Sequence, residues 1–132
     1  MKRTVLDASA LISFYLSRPG AMKVEDVLKA AADGGNDLFM SAVNWGEIYY
    51  ALWRDQGQEI AGKILGQIAQ LPIEIVPASR EHAALAAEFK ARYKLPYADG
   101  FAAALAQLHK AELLTADADF GRIKAEVAVV FL

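Results

Sequence analysis

The chain has 132 residues, of which 55% are apolar, and 14 basic side chains face 16 acidic ones for a formal charge of −2; it has no cysteine. That length and hydrophobicity predict one domain over residues 1–132 with a substantial core, and they exclude a disordered chain. The missing cysteines exclude disulfides, thiolate metal centres and cysteine nucleophiles, and the near-neutral charge gives no global nucleic-acid footprint. Lys2-Arg3 is followed by no long apolar stretch, which argues against a secretory leader. No apolar run approaches the ~20 residues of a membrane span. A cytoplasmic protein without membrane contact is the expectation.

In chain order, Thr4–Leu6 reads as a short buried strand and Ser9–Leu16 as a helix, with a Pro-Gly break at 17–20. A second helix starts at Ala21 and places Val24, Val27, Leu28 and Ala31 on one face before Gly34-Gly35 stops it. Leu38–Met40 is the second strand, ending in Ser41, and Ala42–Trp53 is an aromatic-rich helix ended by Gly57. Trp45, Tyr49 and Trp53 lie four apart on that helix, a stripe that reads as core or subunit packing ahead of base stacking. Ile60–Leu71 forms a further helix and Ile73–Val76 a third strand. Ser79 caps a long helix to Lys94, and an Ala-rich helix over Phe101–Leu108, with Asp99 at its start, suits a buried central position. Leu113–Thr115 is a fourth strand and Val127–Leu132 a fifth. Strands alternating with helices imply βαβ units, hence an α/β fold: a three-layer α/β/α sandwich around a parallel sheet.

The acids fall at equivalent places in this plan. Asp7 follows the first strand, Glu47 lies early in the helix after the second, Asp99 opens the Ala-rich helix, and Asp117 and Asp119 follow the fourth strand. In a parallel sheet the strand C-termini share one edge, so residues far apart in sequence converge there. Each acid alone has a plain structural role: Asp7 or Ser9 can cap the first helix, Asp99 its own helix, Asp117 or Asp119 a short turn around Phe120, and Asn44-x-x-Glu47 has the spacing of a capping box. Together, bare carboxylates raise each other's pKa, and a cation relieves them. Oxygen ligands without cysteine or a placed histidine point to Mg²⁺ or Mn²⁺. An open carboxylate-held divalent ion suits phosphoryl chemistry.

Four motifs, Leu6-Asp7-Ala8-Ser9-Ala10, Ser41-Ala42-Val43-Asn44-Trp45-x-Glu47, Tyr97-Ala98-Asp99-x-Phe101-Ala102 and Leu114-Thr115-Ala116-Asp117-x-Asp119-Phe120, occur in this order over nearly the whole chain. In them the chain resembles the PIN-domain ribonucleases, most closely the VapC-like toxins of toxin–antitoxin pairs. The resemblance implies a PIN-like fold and a metal-dependent endoribonuclease that cuts single-stranded RNA with activated water, leaving 5′-phosphate and 3′-hydroxyl ends. Asp7, Glu47, Asp99 and Asp117 are then the catalytic acids. Asp7, Asp99 and Asp117 bind Mg²⁺ or Mn²⁺, with Glu47 and Asp119 acting through water, and Ser9, Asn44 and Thr115 orient them. A homodimer and a cognate antitoxin are implied too. Gly100 departs from the alanine common in the family, which is expected to loosen the helix by up to ~1 kcal/mol.

The groove between Phe14-Tyr15 and Trp45–Trp53 is the candidate antitoxin surface, with core packing expected for at least half of those side chains. Arg18, Lys23, Arg92, Lys94, Arg122 and Lys124 are candidate phosphate contacts. His82 and His109 have no metal-ligand spacing and read as packing or surface residues. A receiver-like domain is disfavoured because Val76-Pro77 offers no phosphoacceptor, and a haloacid-dehalogenase-type phosphatase because Ser9 stands where a second aspartate is required. The remaining alternative is a non-catalytic PIN-fold binding protein acting through its antitoxin or operator complex.

Overall fold

The computed structural model describes residues 2–132. Its five strands are β1 (Lys2–Leu6), β2 (Asn36–Ser41), β3 (Ile73–Val76), β4 (Glu112–Thr115) and β5 (Val129–Phe131). All pair in parallel, in the order β3-β2-β1-β4-β5. The chain therefore starts at the centre of the sheet, winds outward through β2 and β3, and returns to the other side of β1 for β4 and β5. The order reverses between β1 and β4, and the crevice outside strand C-termini at such a reversal is where open α/β sheets bind ligands.

Among the described residues, six α-helices complete the fold: α1 (Ala8–Tyr15), α2 (Ala21–Ala32), α3 (Ala42–Gln56), α4 (Gln58–Ile68), α5 (Arg80–Tyr93) and α6 (Tyr97–His109), with a 3₁₀ turn at Ala118–Ile123. Strand side chains alternate between two cores, as the pleat requires. Leu6, Leu38, Met40 and Leu114 join Leu11, Val24, Ile48, Leu52 and Ile64 on one face. Val5 and Leu113 join Phe89, Leu105, Phe120 and Ile123 on the other. The three-layer α/β/α sandwich around a parallel sheet is thus present.

Several element boundaries differ from expectation: β1, β2, α3 and α6 each extend beyond the expected runs, α1 is shifted by one residue, and two further differences have visible reasons. The fifth strand is Val129–Phe131, shorter than 127–132, because β4 offers it only three partners, Leu113, Leu114 and Thr115. The fourth helix runs Gln58–Ile68, its end closed by turns in which the amides of Ala69, Gln70 and Leu71 bond back into its last residues.

Gly100 has a packing role beyond the expected effect on its helix. Residues Gly100–Ala106 of α6 are all buried, and a Cβ on Gly100 would stand 2.8 Å from Ala86 Cα and 2.9 Å from Ala86 O on α5. The glycine lets two helix backbones meet. That contact seats α6 and fixes where Asp99 enters the cleft.

Candidate active site

Asp7 is the residue at which β1 becomes α1. Its backbone amide still bonds Leu114 O at 3.4 Å, while its Oδ1 accepts the Ala10 amide at 3.0 Å as the helix cap. The capping role and a place in the site are therefore compatible. Thr115, the last residue of β4, donates to Asp7 Oδ2 at 2.6 Å, and the Ser9 hydroxyl donates to Oδ1 at 2.7 Å. Both hydroxyls accept in turn: Ala116 N bonds Ser9 Oγ and Asp117 N bonds Thr115 Oγ1, each at 2.9 Å. The loop after β4 is thereby tied to the loop after β1, which brings Asp117 beside Asp7.

The second pair comes from α3 and α6. Ser41 is the N-cap of α3, accepting from Val43 N, so Asn44 is not the cap that its spacing with Glu47 suggests. Asn44 is buried inside the helix, where its Nδ2 donates to Glu47 Oε1 at 2.9 Å and to Ala98 O at 3.1 Å. One amide thus orients the glutamate and pins the start of α6, next to Asp99. Asp99 is not a cap either: Pro96 holds that position, and Asp99 sits in the first turn, where the helix dipole favours a negative charge. Asp117 does cap the 3₁₀ turn, accepting from Asp119 N at 2.9 Å.

Asp7, Glu47, Asp99 and Asp117 line one open cleft of about 340 Å³ together with Ser9. Carboxylate oxygens of Asp99, Asp117 and Asp119 lie within 4.8 Å of one another, a tighter group than the sequence suggested for Asp119. Asp119 is also paired with Arg122 at 3.3 Å. Electrostatics mark the same place. Burial lifts Asp7 from 3.8 to about 6 in spite of the hydrogen bonds from Thr115, Ser9 and Ala10, and the Asp117 charge adds to the rise. Burial, followed by the charges of Asp117, Asp7 and Glu47, raises Asp99 to about 7. Asp99 Oδ2 is buried without a hydrogen-bond partner.

The sequence did not assign Tyr50 or Arg54 to the site, although Tyr50 lies within the 45–53 stretch expected to face an antitoxin; both join Arg18 on the cleft wall. The helical period holds the signal, since both fall one and two turns beyond Glu47 on α3. Among the other candidate phosphate contacts, Lys23 donates to Phe131 O, Arg92 pairs with Glu88 and Glu126, and Lys124 lies over the Phe131 ring. Arg122 holds Lys94 O. Phe14, Tyr15, Trp45 and Tyr49 pack partly buried against the core, whereas Trp53 is 47% exposed. His109 stacks on Phe39 at 4.2 Å, and His82 is buried in α5.

An acid-lined cleft at the switch point of a parallel α/β sheet places the protein among the α/β folds with a carboxylate site. A PIN domain family model matches residues 4–126, and the chain belongs to the PIN-domain family. Its fold is similar to VapBC2 from Rickettsia felis, solved bound to a DNA fragment from their promoter, with a TM-score of 0.77 at 15% identity over 98% of each chain. FitAcB from Neisseria gonorrhoeae superposes with a TM-score of 0.67 at 25% identity, covering 96% of this chain and 95% of that one. VapC20 from Mycobacterium tuberculosis, a sarcin-ricin-loop-cleaving toxin, superposes at 0.71 with 15% identity over 89% of this chain and 92% of its own. No curated protein matches the sequence. Among the described residues, no helix is long and apolar enough to cross a membrane.

Proposed function

We propose that this chain, a single PIN-like domain over residues 1–132, is a divalent-metal-dependent endoribonuclease and the toxin of a toxin–antitoxin pair. The observation that carries the reading is the convergence of Asp7, Glu47, Asp99 and Asp117 on one cleft, with Asp119 closing a trio of carboxylates around a shared point. The donor set fits a hard cation. It consists of carboxylate oxygens alone, two of the acids are held against their charge, and the orphaned Asp99 Oδ2 lacks the partner that an ion supplies.

Asp99, Asp117 and Asp7 would hold Mg²⁺ or Mn²⁺, with Glu47 and Asp119 contributing directly or through water. When bound, the ion lowers the pKa of water and neutralises charge building on the phosphate. The chain's own residues do the rest. Ser9 and Thr115 fix both oxygens of Asp7, so that its orientation does not depend on the ion. Asn44 does the same for Glu47. Such outer partners are typically worth 10–100-fold in metal affinity or activity. Water attacks phosphorus, the bond to O3′ breaks, and the products carry a 5′-phosphate and a 3′-hydroxyl.

A cognate antitoxin partner is supported by the fold's likeness to proteins solved as VapBC and FitAcB, a homodimer by the family resemblance alone, and a cytoplasmic site of action by the RNA substrate. The test is cleavage of pooled cellular RNA by antitoxin-free protein with Mg²⁺, Mn²⁺ or EDTA, beside Asp7→Asn. Metal-dependent cuts that vanish in the variant support the nuclease. Folded, metal-binding protein that cuts nothing supports the alternative, a binding protein acting through its antitoxin or operator complex.

A further inference from the structure

The cleft does not end at the acids. Tyr50 and Arg54 line it, and the same two side chains, with Trp53, line an adjoining recess of about 200 Å³ on α3. Tyr50 is 67% exposed and Trp53 47%, an uncommon amount of bare aromatic surface for one helical turn. The Arg54 guanidinium lies over one face of the Tyr50 ring, 5.5 Å from its centre, leaving the other face for a base, and is paired with its neighbour Asp55 at 2.8 Å. That pair is exposed, and exposed pairs hold by little, so a phosphate can displace Asp55 without large cost. Arg18, also on the cleft wall, supplies a second cation.

We infer that Tyr50 and Arg54, backed by Trp53, form a platform for an unpaired nucleotide next to the phosphate being cut. The base stacks on the exposed Tyr50 ring and its phosphate is held by Arg54. Three features select RNA single strand as the occupant. The platform is continuous with the acidic cleft, so a strand whose phosphate lies at the carboxylates passes over it. Its polar members on the cleft wall are arginines, complementary to a polyanion, while the carboxylates lie deeper. Its apolar members are aromatic, and aromatic faces take any base, at about 1–3 kcal/mol per stacked base by alanine substitution. A duplex cannot use such a platform, because its bases are stacked on each other. The inference rests on the ribonuclease reading and adds to it the residues that hold the nucleotide flanking the cut.

The test measures binding apart from cutting. A short 5′-labelled single-stranded RNA of mixed sequence is titrated with full-length protein in Mg²⁺, in an Asp7→Asn background, and followed by anisotropy. Tyr50→Ala is expected to weaken binding by roughly 5- to 150-fold, and Tyr50→Phe, which keeps the ring, to restore it. Arg54→Gln should lower the salt dependence by about 0.7 in log–log slope, one phosphate on a single strand. Replacing bases one at a time by abasic sites should reveal one position whose loss costs affinity in the parent and nothing in Tyr50→Ala. In the cleaving protein, Tyr50→Ala should raise KM more than it lowers kcat. Unchanged affinity in Tyr50→Ala with cleavage intact overturns the platform and leaves the nuclease standing. Tyr50-dependent binding without any cleavage by the parent leaves the platform and overturns the nuclease. If Tyr50→Ala and Trp53→Ala turn a dimer into a monomer and the abasic pattern is unchanged, this face is an interface between copies, and the proposal fails.

Discussion

The buried acids make a quantitative demand on the metal-free protein. The ordinary carboxyl pKa of 3.8 rises to about 6 at Asp7 in the fold, and the residue is 4% exposed. The native state then binds more protons than the unfolded chain from pH 4 upward. Stability therefore falls as pH rises through the window between these values, and levels off above the folded value. At 1.36 kcal/mol per pH unit, ionised Asp7 costs the empty fold about 3 kcal/mol. Asp99, raised to about 7, acts in the same direction and carries the decline toward neutral pH. Urea titrations in EDTA at pH 5 and pH 8 measure this. With a slope of about 1–3 kcal/mol per molar urea, the Asp7 share alone moves the midpoint down by about 1–3 M.

A divalent cation should reverse the trend, because it stabilises the ionised carboxylates that the empty fold penalises. Millimolar Mn²⁺ or Mg²⁺ is expected to recover the midpoint at pH 8 and to do little at pH 5, where protons compete. Asp7→Asn isolates the residue. Its amide keeps the helix cap, the Ser9 and Thr115 hydroxyls can rotate to meet it, and its EDTA profile should flatten through the Asp7 window. A parent protein whose midpoint in EDTA is flat or rises from pH 5 to pH 8 would refute the claim that this cleft stores unfavourable charge. So would a variant with the same slope as the parent.

Four substitutions extend the test. Asp7→Asn should reduce metal-dependent RNA cleavage to background while circular dichroism shows a folded chain; full activity would remove Asp7 from the ligand set. Asn44→Ala should cost about 10–100-fold in activity or Mn²⁺ affinity, since Glu47 loses its donor and α6 loses its anchor at Ala98. Asp119→Asn should weaken calorimetric Mn²⁺ affinity by about tenfold if its carboxylate joins Asp99 and Asp117 around the ion; an unchanged affinity would return it to its pairing with Arg122. Gly100→Ala should destabilise by about 1–3 kcal/mol in urea, where an ordinary helix position would gain up to ~1 kcal/mol, and a stabilised variant would contradict the close helix contact.

The strands, the parallel sheet and the shared edge of the acids were legible because each rests on local pattern: short apolar runs, helical periods and a carboxylate just past a strand. What the chain could not announce was three-dimensional contact. Asn44 shows the limit. Its spacing to Glu47 is that of a cap, and only the position of Ser41 one turn earlier and the approach of Ala98 reveal a buried clamp between two helices. Gly100 shows it again, because helix propensity registers its flexibility and says nothing of Ala86 lying 2.8 Å from the missing Cβ.

Tyr50 and Arg54 were hidden for a different reason. Trp45, Tyr49 and Trp53 form the conspicuous aromatic stripe, and burial claims Trp45 and Tyr49. Tyr50 belongs to the neighbouring face, the one that Glu47 and Arg54 share, so the chemistry lies one residue out of phase with the stripe. A helix that packs against the core with one face and closes a cleft with the next must carry two overlapping patterns. The stronger hydrophobic one masks the weaker polar one until the cleft itself is seen. On α3 the site is therefore legible from Glu47 outward, by stepping three and four residues along the helix from a carboxylate already assigned to the cleft.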